Sequence, residues 1–223
     1  MIGSSMGTFF WLSAAYFYFK YTMKFSDKAN LLFFAVIVGF MYFINMAIIQ
    51  SKCSSPMPVF RATFLPWTFM FGSVLVALTL FPSWKTPFSN TFGYIVARIA
   101  GGTQTLLDLL VPNKPLQYVY EDPSLLLNQF TTTNFETMFE SMKEILIDDP
   151  VKKEALLQVI RLKEIISEWI WFLLAGSVAI SSSYTILMNT ECTKTAEEYV
   201  LENNIAMAER KEKPVPTLYT ITD

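Results

Sequence analysis

Charged side chains are absent from four long stretches of this chain and frequent elsewhere. Residues 3–19, 31–49, 62–81 and 169–188 carry no acidic or basic residue. The hydrocarbon layer of a bilayer is crossed by ~20 predominantly apolar helical residues. The pattern therefore predicts an all-α integral membrane protein with about four transmembrane helices. Three spans occupy residues 1–81, a mainly helical membrane-surface domain lies at 82–168, the fourth span is 169–188, and 189–223 form a polar tail.

The fourth span is read as the end of a much longer helix. Asp149 followed by Pro150 is a start signal: a capping carboxylate precedes the residue best tolerated at the first helical position. No breaker follows before Asn189. In the charged half, Ala155, Val159, Leu162, Ile166 and Trp169 recur at spacings of four and three and form an apolar seam for a packing partner. Lys152, Lys153, Arg161, Lys163, Glu164 and Glu168 fall on the other faces. In the apolar half, Ala175, Ala179 and Ser183 recur every four residues, with Gly176 beside them, and small residues of this kind let a second helix approach closely.

The N-terminal stretch is crowded with aromatics and lacks the basic start of a signal peptide, so it is read as a retained anchor. Asn45, inside the second span, is expected to face the bundle, because an amide in lipid seeks a partner on another helix. Pro66 is expected to bend the third span near its start. After that span, Pro82 and Pro87 stop the helix, Trp84 and Lys85 suit an anchor at the membrane boundary, and Ser89 or Asn90 is placed to cap the next helix. Residues 91–100 and 103–111 read as two short helices split by Gly101 and Gly102, either lying on the bilayer or forming a re-entrant hairpin. Gln117 to Tyr120 reads as extended. Thr133 with Glu136 makes a capping box, followed by a face of Phe135, Met138, Phe139, Met142, Ile145 and Leu146 that should pack on the Ala155 seam.

Composition narrows the chemistry. The chain has no histidine and two cysteines, which removes the commonest general base and leaves no thiolate set for zinc. The acid pairs Glu121-Asp122, Asp148-Asp149 and Glu197-Glu198 fall at turns or solvated faces. No catalytic residue, cofactor or metal site is expected, and the reading is a non-enzyme. A net charge of −2, with lysines and arginines spread among acids, gives no basic footprint for direct nucleic-acid binding.

Basic residues flanking the spans set a direction. With four spans, Lys20, Lys24, Lys28, Lys85, Arg98, Lys152, Lys153, Arg161 and Lys163 fall on the side of the large domain, against Lys52, Arg61 and Lys194 on the other. The domain is therefore expected in the cytosol. The same topology brings Cys53 and Cys192 to the opposite side, where an oxidising lumen would permit a disulfide, the alternative being two ordinary packing residues.

The junction Trp84-Lys85-Thr86-Pro87-Phe88-Ser89-Asn90-Thr91-Phe92-Gly93-Tyr94 resembles a segment of membrane proteins of the nucleocytoplasmic large DNA viruses, icosahedral viruses with an internal lipid layer. The resemblance implies a minor capsid protein of the virion inner membrane, with the 82–168 domain facing the capsid. Its expected partners are the lipid bilayer and other capsid or membrane proteins. Candidate partner-binding residues are Trp84, Lys85, Phe88, Asn90 and Tyr94 at the junction and Val159, Leu162 and Ile166 on the seam. Alternatives are a membrane scaffold, or a small channel formed by homo-oligomers of the Ala175 face with Asn45 inward. A lipid-active enzyme is the third reading, disfavoured by the missing histidine.

Overall fold

A computed structural model describes residues 2–26, 28–50, 57–112, 117–190, 200–201 and 204–205. Among them the chain is helical apart from turns and one isolated antiparallel bridge between Leu110 and Leu146. Cys53, Cys192 and the final Pro214-Val215-Pro216 run lie outside the described residues.

Four long helical segments form an apolar bundle. They are α1 (Ile2–Thr22), α2 (Lys28–Gln50), a third made of α3 (Met57–Pro66) and α4 (Ser73–Leu80), and the far half of the last helix. Pro66 has no amide to give to the helical ladder, and the six residues after it, Trp67–Gly72, wind as a π-helix before regular geometry resumes. The expected bend is thus a local change of helical winding. Phe9, Phe17, Phe33, Trp67, Phe71 and Phe172 fill the bundle interior, with Phe33 stacked on Phe172 at 6.1 Å and the other rings meeting edge-on or tilted at 5.0 to 6.1 Å.

Three helical stretches are long and apolar enough to cross a membrane: Lys28–Gln50, Val59–Leu80 and Pro150–Asn189. Their outward faces carry Leu32, Phe43, Phe69, Leu80, Leu174 and Val178, all exposed. So much exposed apolar surface is costly in water and ordinary in lipid. α1, the fourth expected span, is a helix of 21 residues but falls short of the same apolarity, because its glycines, serines and tyrosines dilute its phenylalanines. It nevertheless runs antiparallel along the last helix. Phe9 sits on Gly176, Phe17 meets Phe172 at 5.0 Å, and Ser13 accepts a bond from the Trp169 indole at 3.0 Å.

Beyond the bundle the chain continues through a single 3₁₀ turn, Pro82–Lys85, into α5 (Thr86–Phe88), a π-helical turn at Ser89–Gly93, and α6 (Tyr94–Ile99). Ser89 and Asn90 therefore lie inside a helical run and cap nothing. Gly101, at φ 85°, reverses the chain into α7 (Gly102–Leu107), so the break falls where the paired glycines put it. Residues 117–120, expected to be extended, lie in the short helix α8 (Gln117–Glu121), whose buried Val119 joins the domain core. α9 (Ser124–Leu127) and α10 (Phe135–Ser141) follow. The expected capping box is absent. Asn134 and Thr131 exchange backbone-to-side-chain bonds at 2.7 and 3.1 Å, and Glu136 pairs with Lys153 at 2.6 Å instead.

α11 (Pro150–Asn189) is one helix of 40 residues. Asp149 caps it, its carboxylate accepting from the amides of Val151 and Lys152 at 2.9 and 3.2 Å. Its first half contributes Leu156 and Ile160 to the domain core with Phe130, Phe135, Phe139 and Leu146. Its second half contributes Phe172, Ala175, Ala179 and Ile180 to the bundle core. The buried line of the first half is Leu156, Ile160, Lys163 and Ser167, one residue beyond the expected seam. Ala155 is exposed, and Val159, Leu162, Ile166 and Trp169 are half-buried.

Candidate functional site

The two cores meet along α11 between Lys163 and Trp171, and the polar chemistry of the chain is concentrated there. Lys20, at the end of α1, is 3% exposed and Glu168 4%. The Lys20 ammonium lies 2.9 Å from both carboxylate oxygens of Glu168. Asn30, on α2, donates to the same carboxylate at 2.6 Å and accepts from Lys20 at 3.1 Å and from the Tyr16 hydroxyl at 2.6 Å. Charge and hydrogen bonding are thus matched within one group that ties α1, α2 and α11 together. A buried ion pair of this kind fixes register more than it adds net stability.

One helical turn away, Lys163 is fully buried. Its ammonium donates to three neutral oxygens: Asn90 Oδ1 at 3.1 Å, the Leu127 carbonyl at 3.0 Å and Asn128 Oδ1 at 2.9 Å. Three donors meet three acceptors from two segments, and none of the acceptors carries a charge. Burial pushes this lysine down to about 8 from its ordinary 10.5, with the Glu164 carboxylate opposing the shift. Glu164 itself turns outward and accepts from the Thr132 amide and hydroxyl at 2.8 and 2.6 Å.

The junction segment is docked on α11 along its inner side. The Trp84 carbonyl accepts from the Trp171 indole at 2.9 Å, with the rings stacked at 6.1 Å. The Lys85 carbonyl accepts from the Ser167 hydroxyl. Phe88 meets Trp171 edge-on at 5.0 Å, Asn90 holds Lys163, and Tyr94 packs against the domain core. Gly93 lies so close to the α11 backbone that a Cβ would collide with the Lys163 carbonyl, and a Cβ at Gly102 would strike Val159. The junction candidates thus meet α11 at Lys163, Ser167 and Trp171, while of the seam candidates Val159 lies against Gly102.

Among the exposed residues of the 82–99 run, which include Ser83, Thr86, Thr91 and Arg98, the large apolar side chains fall in a line. Trp84, Phe92, Ile95 and Ile99 are all exposed, with Phe88 half-buried among them, at spacings of four, four, three and four. This ridge follows one helical face away from the bundle. The pattern was present in the sequence, but it was hidden there by the prolines and by the caps assigned to Ser89 and Asn90.

Within the bundle, Asn45 is buried and donates to Thr63 at 2.8 Å. Ala175, Ala179 and Ser183 are buried inside the chain, and Gly176 receives the Phe9 ring. α1 thus packs on Gly176, and the small-residue face is buried within the chain. No group of three or more histidine, cysteine, aspartate or glutamate residues that could hold a metal occurs among the described residues. No family model, curated protein or solved structure matches the chain.

Proposed function

We propose that this chain is a structural membrane protein that tethers a lipid bilayer to a protein layer alongside it. All four bundle helices, α1 included, cross the bilayer, and the 82–168 domain stands on the cytosolic side. The observation that carries this reading is α11, a single helix whose halves lie in two different cores, one under an apolar bundle surface and one inside a polar domain. The exposed ridge of Phe92, Ile95 and Ile99 supplies a contact surface for the protein layer. The resemblance at Trp84 to Tyr94 supports identifying that layer as the capsid of an icosahedral virus, and the chain as a minor capsid protein of its inner membrane, as in the nucleocytoplasmic large DNA viruses.

The test is site-specific photocross-linking of the full-length protein in its native membrane or particle. A cross-linker at Phe92, Ile95 or Ile99 should capture a shell protein, while one at Leu32, Phe43 or Phe69 should capture lipid. Recovery of the protein in the soluble fraction after alkaline extraction, or lipid adducts at all six positions, ends this reading.

A further inference from the structure

Two cavities open at the level where the bundle meets the domain, and they share Lys85, Thr132 and Glu164 as a common wall. The larger, about 450 Å³, is lined by four cations, Lys20, Lys24, Lys85 and Arg161, against three acids, Glu154, Glu164 and Glu168. The smaller, about 310 Å³, is lined by hydroxyls, among them Thr79, Ser83, Thr86 and Ser89. Either volume holds a small polar group, and the stacked Trp84 and Trp171 place the opening at the depth where lipid headgroups sit.

The charges in this wall do not cancel locally. Glu168 is satisfied by Lys20 and Asn30, Glu154 by Lys24 at 3.3 Å, and Glu164 by the amide and hydroxyl of Thr132. Among the described residues Lys85 has no ion-pair partner, although it is half-buried. Among the same residues Arg161 has no carboxylate within ion-pair distance, and it donates in a long contact of 3.4 Å to the Lys20 carbonyl. Glu164 keeps its charge, so four cations against three acids leave the larger cavity one net positive charge, and Lys85 and Arg161 face it with donors to give, beside a wall of hydroxyls that can donate or accept.

We propose that these joined cavities bind the headgroup of an anionic phospholipid from the adjacent leaflet. Lys85 and Arg161 take the phosphate, and the Thr79, Ser83 and Thr86 hydroxyls receive the polar substituent beyond it. The inference rests on the membrane reading above and adds lipid selectivity to it. The bound headgroup would link the end of the third span, the α1–α2 loop and α11.

The test uses the full-length protein in detergent, titrated with dioctanoyl phosphatidylglycerol, dioctanoyl phosphatidylcholine and inorganic phosphate. Phosphatidylglycerol should bind at least about tenfold tighter than phosphatidylcholine, because both offer the phosphate but the choline of the latter sets a second cation beside Lys85 and Arg161 and has no hydroxyl for the threonine and serine wall. K85Q/R161Q should lose that preference and K85R/R161K should keep it, with both variants melting like the parent. Equal binding of the two lipids, or a preference that survives K85Q/R161Q, overturns the proposal. Inorganic phosphate competing as strongly as the lipid overturns the lipid assignment. Flotation with liposomes separates the two levels: a chain that does not insert ends the membrane reading, whereas one that inserts without headgroup preference ends only this inference.

Discussion

The Lys20 ammonium sits 2.9 Å from both carboxylate oxygens of Glu168, across 148 residues of sequence and at the level where two cores meet. Removing one partner leaves the other charge buried and unpaired, which costs about 3–5 kcal/mol. K20M or E168Q should therefore lower the unfolding midpoint in detergent markedly, and the double variant K20M/E168M should recover much of the loss. Single variants as stable as the parent would show that the pair is dispensable.

Lys163 gives a pH dependence of definite sign. Its folded value is lowered to about 8, against 10.5 when unfolded, so between those values the unfolded chain holds more protons. Stability must then rise with pH across that window and be flat in this respect below it. The gain is about 3 kcal/mol. The quantity to measure is the difference in unfolding free energy between the parent and K163M, from pH 7 to 10.5. A difference that does not move in favour of the parent contradicts the assignment.

Gly93 tests the docking of the junction on α11. G93A should force the Ser89–Gly93 turn away from the Lys163 carbonyl and cost about 1–3 kcal/mol. G39A, whose new Cβ meets nothing within 4 Å, should be tolerated. Thermal unfolding of the two variants side by side decides it.

The ridge and the seam make opposite predictions. F92S/I95S/I99S alters exposed residues, so it should change stability by about 0.5 kcal/mol per site or less while abolishing attachment to the partner layer. V159D places a charge against Gly102 and the domain core, so it should unfold the domain. Attachment that survives the triple variant, measured by co-sedimentation with the partner layer, would remove the ridge from the binding role.

The long-range features were legible in the sequence where one strong signal governed them. Asp149-Pro150 and the unbroken run to Asn189 specified α11, and the uncharged stretches specified the apolar helices. The polar interior was not legible. Lys163 and Glu168 read as solvent-facing because a charge is costly to bury alone, and only the fold brings Asn90, Asn128, Lys20 and Asn30 to them. Counting them as exposed shifted the inferred seam by one residue, from Leu156 and Ile160 to Ala155 and Val159. Short elements failed for a related reason. Gln117 to Glu121 and the Thr133–Glu136 pair carry weak local preferences that the domain core and Lys153 override.

The 40 residues of α11 make a rod about 60 Å long with no joint between its two cores. A domain mounted on a flexible tether could swivel and drift while its anchor stayed still. This one cannot turn without turning the bundle, so its azimuth and its height above the bundle are set together. Copies held by a regular protein lattice would then impose that lattice's orientation, as well as its spacing, on the helices within the lipid.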